Sequence, residues 1–456
     1  MTATTRTARA WRRGAAVVAA GALAAVGLTA CSSSSSGTGS SSGSTASASD
    51  IASALQKKSS ITVWAWAPQD KDIVAAFEKK YPNITVNLVN AGTSTTQYTK
   101  LQNAIKAGSG VPDVAQIEYY ALPQFALANS LQSLDGYGVS SLKSGYSQAV
   151  WDAVSVNGSV VALPQDTGPM ELYYNKKIFD KYGLTVPTTW DQYIADATKL
   201  HAANPNEYIT SDSGDPGFTT SMIWQAGGKP FTVSGTTSVT INSQDAGTKK
   251  WAAEWDQLSE KGLLSSIPGW SSQWFTALGN GTLATLVTGA WMPANLEGSA
   301  AAGSGDWRVA AMPTYGGGTA ATAENGGSSY AVMKGSSNPL VAAGFAEFVA
   351  TQPGQQILAD SGGFPALNSI LNSSSFLDQA PAYFGGQKIN QVLAAAAASV
   401  LPGWSYMPFQ VYANSIYPDS VGKAYTSKSD LNAAISTWYK ASGTYGTQQG
   451  FTVTTK

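Results

Sequence analysis

ITVWAWAPQDKDIVAAFEKKYPNITVNLV, residues 61–89, decides how this chain folds. Ile61 to Trp66 is a short β-rich run. Ile73, Val74, Phe77 and Tyr81 then recur at the spacing that places apolar side chains on one face of a helix. Pro82 and Asn83 stop that helix, and Ile84 to Val89 form a second β-rich run. Strand, helix, strand in this order is a βαβ unit. A second helix around Tyr98 to Lys106 leads through GSGVPDVAQIEYY, residues 108–120, to a further strand. The economical fold is therefore α/β, with a mixed, mostly parallel sheet flanked by helices. Ligands of such sheets sit beyond the carboxyl ends of the strands. Trp66, Gln69, Glu118 and Tyr119 would share that place.

Ahead of this unit the chain changes character. Arg6, Arg9, Arg12 and Arg13 precede an apolar run from Gly14 to Leu28, which ends in small residues and Cys31, the single cysteine. These are the parts of an export signal. The run falls short of the ~20 residues that span a bilayer. Leu28-Thr29-Ala30-Cys31 also resembles the lipobox of bacterial lipoproteins, which implies a diacylglycerol on Cys31 and a membrane anchor there. Serine and glycine from Ser32 to about Ser49 bury too little apolar surface to order, so a flexible tether is expected.

Composition bounds the folded part. About 400 residues remain after the tether, more than the roughly 250–300 at which one core stops growing, so two lobes are expected. With no other cysteine, no disulfide or thiolate metal site holds them. Without the signal arginines the formal net charge falls from -1 to -5, which disfavours a nucleic-acid partner. Charged residues make up only 12% of the chain while tryptophan reaches 14 copies, a bias that suits a neutral polar ligand.

Further segments carry a resemblance. FEKKYPNITV (77–86), GSGVPDV (108–114), ALPQDTGPMELYYNKKIFDKYGLTVPTTWDQY (162–193) and WQAGG (224–228) occur in order. They are followed by GNGTLATLVTGAWMPANL (279–296), SSYAVMKGSSNPLVAAGFAEFVAT (328–351), GGFPAL (362–367) and a C-terminal GFTV (450–453). Jointly these resemble the extracellular solute-binding proteins of bacterial ABC importers, the sugar-binding group. The resemblance implies a two-lobed periplasmic-binding-protein-like fold whose lobes are joined by crossover strands and close on a ligand like a hinge. Each lobe should hold a mixed, mostly parallel sheet. Crossings are expected near Leu163–Tyr173, Gly326–Val332 and Phe364–Ile370. The expected organisation is signal peptide 1–30, tether 31–55, N-terminal lobe 56–166 with 328–368, and C-terminal lobe 167–327 with 369–456.

A sugar has apolar C–H faces and a rim of hydroxyls, so its site combines aromatic plates with planar polar groups. Positions matching the family's cleft loops are Trp64 or Trp66, Gln69, Glu118, Tyr119, Asp166, Trp224, Trp291, the Asn325-Gly326-Gly327 turn and Trp404. Each has a plainer reading. Trp64 and Trp66 lie two apart on one strand and share a face, so one of them can be core. Glu118 either accepts ligand hydroxyls or pairs with a surface lysine. Asp166 could close an Asx turn, and Trp404, in the loop LPGWSYMPF, could be a packing anchor. Trp190 is read as a helix staple and Asp113 as a turn or cap residue, both outside the site.

Other chemistries fit less well. Tyr119-Tyr120 and Tyr173-Tyr174 raise ferric iron, but neighbours on a strand face opposite sides and neither pair supplies two ligands together. A surface-anchored carbohydrate-active hydrolase needs two carboxylates, which Glu118 and Asp166 could supply in principle. One histidine, His201, leaves no basis for Ser-His-Asp catalysis or a histidine-rich metal site. Neither a nucleophile elbow nor a phosphate-cradling loop occurs. The expectation is a monomeric, lipid-anchored, cofactor-free and metal-free receptor on the extracellular face of the cytoplasmic membrane. It would capture a sugar or oligosaccharide for an ABC permease; a hydrolase, or a receptor for a non-sugar solute, is the alternative.

Overall fold

The computed structural model describes residues 47–456 apart from Thr319. The export segment, Cys31 and the tether as far as residue 46 lie outside the described residues. The elements that position the site are, in chain order, α1 (Ala48–Ala54), β1 (Ser59–Trp64), α2 (Asp70–Lys80), β2 (Ile84–Val89), α3 (Thr95–Ala107) and β3 (Val114–Glu118). After these come β4 (Leu163–Pro164), β5 (Met170–Asn175), α4 (Pro216–Gln225), α5 (Ser272–Asn280), β6 (Thr285–Gly289), β7 (Trp307–Ala310), β8 (Ser328–Val332) and α6 (Pro339–Ala350).

The βαβ unit forms as its periodicity dictates. Ile73, Val74 and Phe77 make the buried stripe of α2, and β1 pairs in parallel with both β2 and β3. The first lobe's sheet runs β2-β1-β3-β8-β4, with β8 antiparallel to both neighbours. One core gathers Ile61, Val63, Phe77, Ile117 and Leu163 with the much later Tyr330, Phe345 and Val349. The first lobe is thus assembled from two separated stretches of chain.

In the second lobe, the expectation of a mostly parallel sheet is corrected. Its central sheet is β6-β5-β7, and both pairings are antiparallel. The register gives the reason: β5 leads away from Met170 at the lobe junction, while Gly289 at the end of β6 returns opposite it. Antiparallel pairing delivers Ala290 and Trp291 back to the junction. The aromatic cores of this lobe hold Trp190, Trp251, Trp255 and Trp438 in one cluster and Trp274, Trp307 and Phe384 in another. Trp190 is the first residue of its helix, where the Thr189 hydroxyl accepts from Gln192 N; lying after the cap rather than before it, Trp190 is a buried core residue and not a helix staple.

Residues 48–55, expected to belong to the tether, are a second correction. Ser47 and Asp50 form a reciprocal capping box at the start of α1, and Ile51 and Leu55 are buried. They sit on α6, where a methyl added at Gly344 would come within 2.9 Å of Leu55. A polar run up to Ser49 masks this helix, whose apolar stripe is only two residues long.

Three stretches of backbone run side by side between the cores. Asn325 N donates to Gly168 O at 2.7 Å, Gln165 N to Ser328 O at 2.9 Å, and Asp166 bridges to Pro365. Beneath them Glu324, 5% exposed, accepts from Thr167 Oγ1 at 2.7 Å and Gly168 N at 2.6 Å, tying two of these strands together.

Candidate functional site: a cleft between the lobes

A cleft of about 1030 Å³ opens at this junction, at the upper end of the roughly 300–1,000 Å³ typical of small-molecule sites. From the first lobe, Trp66 and Gln69 enter it on the loop after β1, just beyond the strand's last residue. Gln116 on the neighbouring β3 holds that loop in place by accepting from Trp66 N at 2.9 Å and Ala67 N at 3.3 Å. Trp64 and Trp66 both pack against the first-lobe core, but of the two only Trp66 also lines the cleft.

Glu118 ends β3 and lines the same space. Tyr98, fully buried on α3, accepts from Glu118 N at 2.8 Å and donates to Glu118 Oε2 at 2.9 Å. Its ring also meets Trp66 edge-on at 6.3 Å. One tyrosine therefore orients both an aromatic plate and a carboxylate. Burial pushes the Glu118 carboxyl above its ordinary value, against the Tyr98 hydrogen bond.

Asp166 lies on the first crossover and accepts from Ser328 N at 2.5 Å on the second. Burial, with Glu118, Glu324 and Asp70 adding negative charge nearby, pushes it up to about 7. Asn325, Gly326 and Gly327 line the cleft beside it. Both glycines have positive φ, and each lies under a ring: a methyl on Gly326 would meet Trp291 Nε1 at 2.8 Å, and one on Gly327 would meet Tyr119 Cε2 at 2.6 Å.

The second lobe answers with Trp291, whose Nε1–H donates to Asn325 O at 2.6 Å. Its indole is thereby pinned to the hinge. Asp215 caps α4 and Asp212 accepts from Trp255 Nε1 at 2.8 Å and Tyr425 OH at 2.7 Å; both line the cleft. Burial pushes Asp212 up to about 6. Among the described residues, the lining of the cleft contains no lysine, arginine or histidine, and no group of three or more metal-ligating side chains occurs.

Three expected positions fall elsewhere. Tyr119 is 2% exposed and sends its hydroxyl to Asp166 O at 2.7 Å, because alternation along β3 turns it away from the face of Glu118. Trp224 and Trp404 stack on each other at 5.2 Å and 8°, with Trp224 Nε1 donating to Leu401 O at 2.7 Å. They are packing anchors behind the wall. Tyr406 stands edge-on to both and reaches the cleft in their stead. Tyr406, Asp212, Asp215 and Trp270 were not anticipated from the sequence; an aromatic directly after Pro268-Gly269 was the available signal for the last.

Comparison with known proteins places the chain in a family. The family model described as bacterial extracellular solute-binding protein matches residues 63–356. This chain belongs to that family. Among solved structures, the ABC transporter associated binding protein from B. animalis subsp. lactis Bl-04, in complex with beta-1,6-galactobiose, is 47% identical. It superposes with a TM-score of 0.80 over 87% of this chain and 99% of that one. The galacto-N-biose-/lacto-N-biose I-binding protein of the ABC transporter from Bifidobacterium longum, in complex with lacto-N-biose, is 28% identical, with a TM-score of 0.76 over 87% and 98% of the two chains. A lactose-binding protein of Rhizobium radiobacter is 25% identical over 353 residues, 73% of this solute-binding protein and 81% of that one. These relatives are binding proteins, and the two-lobed fold is common to the solved ones.

Proposed function

We propose that this protein captures a short neutral oligosaccharide between its lobes and hands it to the transmembrane subunits of an ABC importer. The observation that carries the reading is the pair of aromatic plates, Trp66 from one lobe and Trp291 from the other, facing a single cleft rimmed by carboxylates and amides without a cation. Flat rings match the C–H faces of a sugar, and carboxylates accept its hydroxyl protons. The ligands named for these three relatives all contain galactose, which is the ground for taking a galactoside as the ligand.

Ligand touching both lobes favours the closed arrangement by its differential affinity for it, and the closed surface is what a permease recognises. The protein acts as a monomer and as a receptor, without turnover. Its export segment carries it across the cytoplasmic membrane and a lipid on Cys31 anchors it on the outer face, with the serine-rich stretch as tether. Glu118, Asp166, Gln69 and the Asn325–Gly327 turn supply the polar contacts.

Calorimetry of the mature protein against β-1,6-galactobiose, lactose, lacto-N-biose and maltose tests the proposal, with chromatography of the recovered sugar. Binding of at least one galactoside, recovered intact, is the expected result. Hydrolysed sugar would move the protein to the enzymes, and silence across the panel would remove the galactoside assignment.

A further inference from the structure

Trp270 is unlike the other tryptophans of the chain. Among the described residues it is the one large apolar side chain left open to solvent, at 54% exposure. Its backbone sits at φ 65°, a left-handed conformation that bulky residues rarely adopt. Both features occur at a position lining the cleft.

Part of the explanation is local. Trp270 immediately precedes Ser271, whose hydroxyl caps α5 by accepting from Trp274 N at 3.1 Å. Its ring meets Phe275 edge-on at 6.1 Å, the geometry of a hydrophobic staple that fixes the entry of a helix. A leucine would serve a staple. It would not need a ring that leaves more than half its surface in water.

The remainder points into the cleft. The Trp270 ring stacks on Trp291 at 5.5 Å and 25°, and Trp274 supports it at 5.6 Å. Trp291 is pinned to the hinge by its bond to Asn325 O, so the two rings form a stepped aromatic surface that leads outward from the hinge. Pro268 and Gly269 hold the step in the open, with no atom near the place where a Gly269 side chain would project. The cleft is too large for one hexose ring to fill, which leaves room for a second ring at the outer step.

We propose that Trp270 is the residue that selects ligand length: it receives a sugar ring beyond the one on Trp291 and so favours an oligosaccharide over a monosaccharide. The inference rests on the sugar-binding reading above. Trp270→Leu keeps the staple and removes the plate, and Trp270→Phe restores a smaller plate. In titrations of the mature protein, Trp270→Leu should weaken β-1,6-galactobiose about tenfold and leave free galactose within about twofold, with Trp270→Phe recovering part of the loss. Unfolding midpoints of the leucine variant should match the parent.

Equal losses for both sugars, or none for either, would overturn the assignment while leaving sugar binding intact. Tighter binding of galactose by Trp270→Leu would also overturn it, since it would mean that Trp270 covers the Trp291 face. A parent protein that binds neither sugar sinks the sugar reading and this inference with it.

Discussion

Trp291 is held by the structure at the place where the proposed recognition needs it. Its Nε1–H is spent on Asn325 O, and its ring edge rests over Gly326 and Gly289, so it cannot rotate away from the cleft without breaking the hinge contact. Trp291→Ala should weaken sugar binding by ~1–3 kcal/mol through lost area and stacking; calorimetry beside the parent checks this, and unchanged affinity would place the ligand elsewhere. Gly326 tests the same packing from beneath. A methyl there meets Trp291 Nε1 at 2.8 Å on a backbone at φ 84°. Gly326→Ala should cost about 1–2 kcal/mol in urea unfolding and reduce affinity as well, because the ring must shift. Trp66, Gln69, Glu118, Asp166 and Trp291 could be chosen from strand ends and family motifs alone. Tyr119 could not be excluded that way, since its direction depends on which residue of β3 begins the alternation.

Among the elements, α1 carries a prediction of its own. Ile51 and Leu55 bury against α6, almost 300 residues later in the chain. Ile51→Ala should destabilise the folded part by ~2–5 kcal/mol, the cost of a large-to-small change in a packed core. Denaturant titration of the mature protein measures it; a loss below ~0.5 kcal/mol would mean that α1 is a frayed end of the tether. The elements that were legible, β1 to β3 with α2 and α3, are those marked by a β-rich run or by an apolar helical stripe such as Ile73, Val74 and Phe77 of α2. The helix α1 and the antiparallel sheet of the second lobe were not. A two-residue stripe has no measurable period, and strand direction is set by where distant chain returns.

At the level of the whole molecule, buried carboxylates without cations make stability depend on pH. Burial pushes Asp70 and Glu324 up to about 7, and Glu171, 3% exposed in the second lobe, up to about 9. Each holds its proton more tightly folded than unfolded, so the native state binds more protons between roughly pH 4 and these values. Their contribution is therefore complete in acid and is lost as pH rises through 7 and then 9. The unfolding midpoint should be higher at pH 5 than at pH 8, and Glu171→Gln should flatten the decline above pH 7. Calorimetry across this range decides it; a midpoint that climbs from pH 5 to pH 8 would contradict the assignment.

The sequence by itself determined the α/β class, the need for two lobes, the aromatic-rich, charge-poor composition that suits a neutral polar ligand and the family to which the chain belongs. Each of these follows from local periodicity, length, composition or the order of short motifs, quantities that survive without knowledge of contacts. Tertiary structure alone decided that Trp224 and Trp404 face each other and that Tyr406 takes their place in the cleft. It alone also set Trp270 in the open on Trp291. Such pairings join residues far apart in the chain, and a side chain's exposure is fixed by whatever distant backbone packs beside it, which no spacing rule contains.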